Sequence, residues 1–284
     1  MMNEGHAASI IFAAGYGSRM KGFSGNKTLL PLLPGSNPFK GEYPIIYEIV
    51  RNLPEGPKAL VIHHKKEEII KATRDLGVFY CDQPIPNGTG GALIAAQEFL
   101  EKIDQEYCII TMGDVPFVMK TTYHSIIHHC SDKDFIVLGF TPKDKAQYGI
   151  VEIENETVQR IIEWKYWKDY PLEMQTRFEV FNSGIYAARR SVLLTYLKEL
   201  KERPHRVEKE RDGRMIVVDE YFITDLVELM SNDGCKVGFN LVDEEQEVMG
   251  IDTCDDLVLA QALFRKEINR KKVLIEEEGN DIFI

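Results

Sequence analysis

No apolar run in this sequence approaches the roughly 18 to 20 residues that a membrane-spanning helix requires. The Met1 to Ser9 leader also lacks the basic start and apolar centre of a secretion signal. A membrane or exported protein is therefore not expected, and the expected compartment is the cytoplasm. A disulfide framework is excluded in turn, because Cys81, Cys108, Cys130, Cys235 and Cys254 are five in number, scattered, and include no CxxC pair. Buried free thiols are the expected state. His124, His128 and His129 have helical spacing, but no cysteine or carboxylate set completes a metal site around them, so a partly exposed helix face is the plainer reading. Internal repeats and low-complexity blocks are missing too. A broad basic face, the mark of a general nucleic-acid binder, is not compatible with a formal net charge of −11. Small phosphorylated ligands are not excluded.

With 284 residues, 44% of them hydrophobic, the chain can bury a large core as one big α/β domain or two smaller ones. Its charge is unevenly spread. From Gly5 to Gly41 there is no Asp or Glu, yet Arg19, Lys21, Lys27 and Lys40 all fall there, a basic island that suits an anionic ligand. Within it, Ser9 to Ala13 reads as a fully buried strand. Gly15 and Gly17 follow where a polyphosphate would need bare backbone N–H groups, and Arg19 and Lys27 add mobile positive charge. The glycines alone are a weak signal. Met20 occupies the third glycine position of a dinucleotide fingerprint, and Gly25-Asn-Lys27 breaks the Gly-Lys pair of a Walker loop.

Apolar runs and helical patterns alternate through the first half: strand at 58–63, helix at 65–76, strand at 78–81, helix at 90–103 and strand at 107–111. Such alternation implies βαβ units and a mostly parallel, Rossmann-like sheet flanked by helices. From Phe135 the runs at 135–140, 149–153, 158–163 and 178–187 follow closely on one another, as an antiparallel portion would. Helical spacing returns at 189–201 and 224–230, separated by a charged connection at 201–214 expected to be exposed. Asp252 or Thr253 can cap a last helix running to about Arg270.

Two further clusters carry chemistry. Gln83 to Gly91, QPIPNGTGG, joins a strand to a helix. Its glycines could open a flat surface for a base whose edge Gln83 would bond, or Thr89 could simply cap the helix. In Met112-Gly113-Asp114 a strand runs into a carboxylate at the carboxyl edge of the sheet, where a divalent cation bridging phosphates would want oxygen. The plain alternative is a turn aspartate. Asp252 is a candidate second carboxylate.

Together, AAGYGSRM with its following lysine, QPIPNGTGGAL, GDVPF, EVFNSGIYA, EYFITDL and EVMGID resemble the sugar-phosphate nucleotidyltransferase family, in particular its N-acetylglucosamine-1-phosphate uridylyltransferase branch. The likeness spans about residues 8 to 265. It implies a nucleotide-diphospho-sugar transferase fold, with residues 1–270 as the nucleotidyltransferase domain and 271–284 as an acidic tail. It further implies Mg2+-dependent joining of a nucleoside triphosphate, UTP favoured, to a sugar 1-phosphate with release of pyrophosphate. Ala14, Gly15, Gly17, Arg19 and Lys27 would contact the nucleotide, the last two as catalytic cations on its phosphates. Gln83, Gly88 and Thr89 would hold uracil. Asp114 and Asp252 would hold Mg2+, and Gly149, Glu163 and Asn182 would line the sugar site. Three departures bear on the sugar side and on spacing. Met112 stands where the family often has tyrosine, Lys27 falls one residue later than usual after Arg19, and residues 201–219 form an insertion. The hexapeptide-repeat acetyltransferase part of the two-domain enzymes is not matched, so neither acetyl transfer nor the trimer built on it is expected. The alternatives are a cytidylyl or molybdopterin guanylyl transferase, or a non-catalytic nucleotide-sugar regulator.

Overall fold

The computed structural model describes residues 7–145, 147–211 and 214–280. In chain order the elements are β1 (Ala8–Phe12), β2 (Pro31–Asn37), β3 (Lys40–Pro44), α1 (Ile45–Asn52), β4 (Lys58–Ile62), α2 (Lys66–Thr73), β5 (Phe79–Asp82), α3 (Gly88–Ala95), α4 (Gln97–Lys102), β6 (Tyr107–Met112), α5 (Lys120–His129) and β7 (Phe135–Phe140). They continue with β8 (Ile150–Glu154), β9 (Thr157–Ile162), α6 (Trp164–Trp167), α7 (Leu172–Gln175), β10 (Phe181–Arg189), α8 (Arg190–Lys201), β11 (His205–Arg211), β12 (Arg214–Glu220), α9 (Ile223–Asn232), β13 (Val237–Leu241) and α10 (Cys254–Asn280).

The central sheet runs β13-β7-β10-β6-β1-β4-β5, with β8 and β9 attached at β10. Strand β1 is apolar on both faces because both are covered. Ile10 packs into a cluster with Leu93, Leu197 and Leu226, whereas Ile11 packs on the opposite face with Ile45, Ile126 and Leu257. Each such side chain contributes roughly 1.5–3 kcal/mol by leaving water, which fixes β1 at the sheet centre. It pairs in parallel with β4 on one side and β6 on the other. The chain therefore leaves β1 toward β4 and β5 and later returns across it to β6. This reversal opens a crevice at the carboxyl ends of β1 and β6, the usual ligand position in such sheets.

The mostly parallel sheet flanked by helices is as expected, with four differences in detail. The antiparallel portion begins later than Phe135: β7 is antiparallel to β10, as β6 is, so β7 runs with β6, and β13 joins β7 in parallel. The helix expected at 90–103 starts at Gly88 and breaks at Ala96, whose N–H reaches both Ala92 O and Leu93 O in a tightened turn. Leu93, Ala96, Leu100 and Ile103 nonetheless share the buried side.

The charged 201–214 connection is largely a β-hairpin, β11 against β12, with Val207 opposite Val218. Its charges conceal an alternation whose backbone groups are satisfied across the pair. Finally, the last helix continues past Arg270 to Asn280, since no proline or glycine interrupts residues 254–278 and Lys, Leu and Glu favour helix. Residues 281–284 of the expected tail lie outside the described residues.

His124, His128 and His129 are exposed on α5, and Cys108 and Cys130 are buried free thiols. Among the described residues no helix is long and apolar enough to cross a membrane.

At the start of α10 the two capping candidates divide their roles. Thr253 Oγ1 accepts the Asp256 N–H (3.2 Å), and the Asp256 carboxylate accepts the Thr253 N–H (2.7 Å), a reciprocal capping box. Asp252 keeps its side chain free of the cap. Thr253→Ala is expected to lower unfolding free energy by about 1 kcal/mol. An unchanged urea midpoint would show that the cap contributes nothing.

Candidate active site

At the β1/β6 crevice lies a cavity of about 370 Å3. Ala14, Gly15, Gly17, Arg19, Lys27, Gln83, Gly88, Thr89, Asp114 and Asp252 all line it, bringing together the residues expected to serve nucleotide, phosphates and metal. Gly15 is open to it: a Cβ there would meet nothing within 4 Å. Gly17 has a different reason. Its φ is +63°, and a Cβ would come within 2.6 Å of Lys27 Cγ, so the bare backbone makes room for the lysine stem. Beside this loop, Tyr16 OH and His63 Nε2 stand 3.1 Å apart.

Lys27 opens a short 3-10 turn, Lys27–Leu29. Its Nζ lies between two carboxylates, paired with Asp114 Oδ2 and, at 2.7 Å, with Asp252 Oδ1. Arg19 Nη2 meets the other oxygen of Asp252 at 2.9 Å. The two aspartates come from distant stretches, and backbone contact joins them: Ile251 N–H donates to Asp114 O at 2.9 Å. Gly113 permits a close approach on the other side, since a Cβ there would fall 2.7 Å from both Phe12 O and Thr28 Cγ2. Burial alone would lower the Lys27 pKa, but the charges and hydrogen bonds of Asp114 and Asp252 outweigh it and hold the ammonium above the ordinary lysine value. Lys27 is 13% exposed and Arg19 62% exposed, so Lys27 is a shielded cation and Arg19 one largely in water. Among the described residues no group of three or more His, Cys, Asp or Glu forms a metal cage. Asp114 and Asp252 are a carboxylate pair of the kind Mg2+ takes, since that ion binds one or two carboxylates and keeps waters and phosphate oxygens as its other ligands; it would share them with the Lys27 ammonium that is paired with both.

On the opposite wall, buried Gln83 donates through Nε2 to Asn87 Oδ1 (3.0 Å) and Gly88 O (3.3 Å). The group left for a ligand is its Oε1 acceptor. Gly88 and Gly90 answer first to packing: a Cβ on either would fall 2.3 Å from Tyr221 O or 2.8 Å from Tyr221 C. Thr89 caps a helix, but not its own. Its Oγ1 accepts the N–H of Ile223, the first residue of α9, at 3.1 Å. The segment EYFITDL thus sits on the GTGGA loop, and Glu220 brings a carboxylate to the cavity wall.

Gly149, Glu163 and Asn182 do not line this cavity; they cluster beyond Met112. Asn182 N–H donates to Gly149 O at 2.8 Å, and a Cβ on Gly149 would be 3.8 Å from Glu163 Cα. Met112 bridges the two regions, lining the cavity while its methyl packs where Gly184 lacks a side chain. Asn182 is already engaged, its Nδ2 donating to Tyr186 OH (2.9 Å) and its Oδ1 accepting from Gly184 N–H (3.0 Å). Glu163 accepts from Thr224 Oγ1 at 3.1 Å. Sequence reasoning missed Thr224, Glu220 and the buried Asn26. Asn26 alone carried a readable signal, an Asx-turn residue directly ahead of the lysine.

Desolvation raises the Glu163 pKa, and the Thr224 hydrogen bond offsets only part of this. The folded chain then holds the Glu163 proton more tightly than the unfolded chain, so stability falls as pH rises from the ordinary carboxylate value through the raised one. Glu163→Gln keeps an acceptor for Thr224 without the charge. It is expected to stabilise the protein above that window, with the gain vanishing about a unit or more below the ordinary glutamate pKa of about 4.3, where the parent carboxyl is protonated in both states. Denaturant midpoints from acid to neutral pH measure this, and a pH-independent gap would contradict it.

A glycine loop, two cations and a carboxylate pair thus meet at the switch point of an α/β sheet, an arrangement suited to a phosphorylated ligand. Residues 9–205 match the model of the MobA-like NTP transferase domain, and the chain belongs to that family. It is 30% identical over 269 residues to bifunctional protein GlmU of Clostridium novyi, covering 94% of this chain and 54% of that protein. Against bifunctional protein GlmU of Cereibacter sphaeroides it is 29% identical over 283 residues, 98% of this chain and 56% of the relative. The chain spans about half the length of these curated relatives. Among solved structures, the uridine diphosphate N-acetylglucosamine pyrophosphorylase of Trypanosoma brucei superposes with a TM-score of 0.70 at 14% identity, covering 90% of this chain and 65% of that one. CMP:2-keto-3-deoxy-manno-octonic acid synthetase complexed with CTP superposes at 0.60 and 17% identity, covering 92% and 99%. These structural likenesses establish a shared fold.

Proposed function

We propose that this chain is a sugar-1-phosphate nucleotidyltransferase that uses Mg2+ and prefers UTP, forming a UDP-sugar such as UDP-N-acetylglucosamine and releasing pyrophosphate. The observation that carries this reading is Lys27 held between Asp114 and Asp252 beside an open glycine loop. Residues 1–270 form the working unit and 271–284 its extension; the site draws on segments from Ala14 to Asp252.

The reaction joins two anions. An oxygen of the sugar phosphate attacks the α-phosphorus of the nucleotide in line, and the bond to pyrophosphate breaks. That oxygen is already ionised, so no general base is required, and the barrier is one of repulsion and positioning. Lys27 faces the α-phosphate and stabilises the charge that grows there. Arg19, largely exposed, stabilises the leaving pyrophosphate. Mg2+, when bound on Asp114 and Asp252, supplies further charge neutralisation to the phosphates. Gln83 Oε1 accepts the N3–H of uracil; cytosine has no hydrogen there, and this favours a 4-oxo pyrimidine. Gly88 and Thr89 flank the base. Glu163 offers its second oxygen to a sugar hydroxyl, while Gly149 and Asn182 shape the wall behind it.

Mixing the chain with Mg2+, each NTP and a panel of sugar 1-phosphates should release pyrophosphate, most rapidly with UTP. Release with CTP or GTP instead would reassign the base, and nucleotide binding without release from any pair would identify a regulator. Lys27→Ala and Asp114→Asn are each expected to lower kcat by about two or more orders of magnitude with folding intact, as loss of transition-state electrostatics does. Near-parental rates in either purified variant would remove that residue from the mechanism.

A further inference from the structure

Lys27 reaches its carboxylates from the end of a long loop, and the residue before it governs where that loop ends. Asn26 is 1% exposed and uses every hydrogen-bonding position of its amide. Its Nδ2 donates to Ala13 O (2.9 Å) and His64 O (3.0 Å), and its Oδ1 accepts from Thr28 N–H (3.0 Å) and Thr28 Oγ1 (2.7 Å). Ala13 is where the chain leaves β1, and His64 lies just beyond β4. One side chain therefore closes the neck of the glycine loop and fastens it to two neighbouring strand ends. Lys27 is the first residue past that neck.

We propose that Asn26 is a positioning residue for Lys27, setting the register at which its ammonium enters between Asp114 and Asp252. The two Thr28 bonds act in the same direction: they hold the turn whose Thr28 methyl packs against Gly113, the neighbour of Asp114. Asn26 borders the same cavity, but all four hydrogen-bonding positions of its amide are taken by the protein, so it acts through this geometry.

The inference rests on Lys27 serving nucleotidyl transfer, and a double-mutant cycle separates its role from general stability. Asn26→Ala is expected to lower kcat by about tenfold or more, whereas adding it to Lys27→Ala should lower kcat by less than about twofold further, because residues acting through one group are not additive. Thermal unfolding should shift equally in both backgrounds. If the two rate losses multiply, the proposal is overturned.

Should Asn26→Ala fold poorly, Asn26→Ser keeps an acceptor for the Thr28 N–H and cannot bridge Ala13 and His64; the same cycle applies. A readout independent of turnover is trace acylation of lysines followed by mass spectrometry. Lys27, 13% exposed, should label slowly in the parent and faster in the Asn26 variants relative to other lysines. Unchanged labelling would overturn the proposal. If the parent releases pyrophosphate from no substrate pair, the functional reading has failed, and labelling alone then decides the positioning claim.

Discussion

Everything in the site depends on the ammonium of Lys27 standing between two carboxylates. Asp114 and Asp252 are both largely shielded from water, and two such carboxylates brought to one point repel each other unless a cation compensates them. Lys27 provides that compensation at a cost in desolvation, which its partners more than offset. Burial alone would lower the Lys27 pKa, and the two carboxylates reverse that direction, while the Ile251 N–H bond to Asp114 O keeps their loops together.

Backbone contacts make this convergence possible, and they explain the glycines better than the ligand does. Gly17 is bare because the stem of Lys27 passes over it, and Gly113 because Phe12 O and Thr28 lie against it. The Ile251 N–H bond to Asp114 O then links the two carboxylate loops directly. In the same way the GTGGA segment is shaped by Tyr221 and Ile223, which pack against it and take Thr89 as a cap. Of the glycines expected to serve a phosphate or a base, Gly15 alone faces open space. These residues make a ligand site indirectly, by letting chain segments approach until side chains from all of them share one cavity.

The parts of the fold legible in the sequence were those whose burial is two-sided. β1, β4, β6 and β7 are continuous apolar runs because helices cover both faces, and such runs need no knowledge of their neighbours. The β11/β12 hairpin was not legible: its ladder is a backbone interaction, while its side chains read as a charged connection. The extension of α10 beyond Arg270 was hidden for the opposite reason, since helix propensity alone carries no periodic apolar signal. In the site, Arg19, Lys27, Gln83 and Asp114 stood out as chemistry attached to strand ends, and they do share a cavity. Asp252 could be named as a partner, but its meeting with Asp114 depends on a long-range backbone bond that no local pattern encodes. The sugar-side residues were proposed from resemblance and cluster beyond Met112, with Asn182 already committed to Tyr186 and Gly184. Thr224 escaped notice because a threonine early in a helix looks like any other; only the fold brings it to Glu163.

The two cations differ in a way that suits their proposed tasks. Lys27 is buried, shared by two carboxylates and emerges from a pinned neck, so it has little freedom to reorganise as charge moves. That is the property wanted at a reacting phosphorus, where stabilisation is greatest when dipoles and charges are set beforehand. Arg19 sits on the same carboxylate but is mostly in water, where an ion pair is worth about 0–1 kcal/mol. A pair this weak costs little to give up, which is why the proposed mechanism assigns the leaving pyrophosphate to Arg19 and not to Lys27. Of the four cations in the basic island, Lys27 and Arg19 thus line the cavity, one shielded and doubly paired, the other largely in water, and the proposed division of tasks rests on that difference in burial.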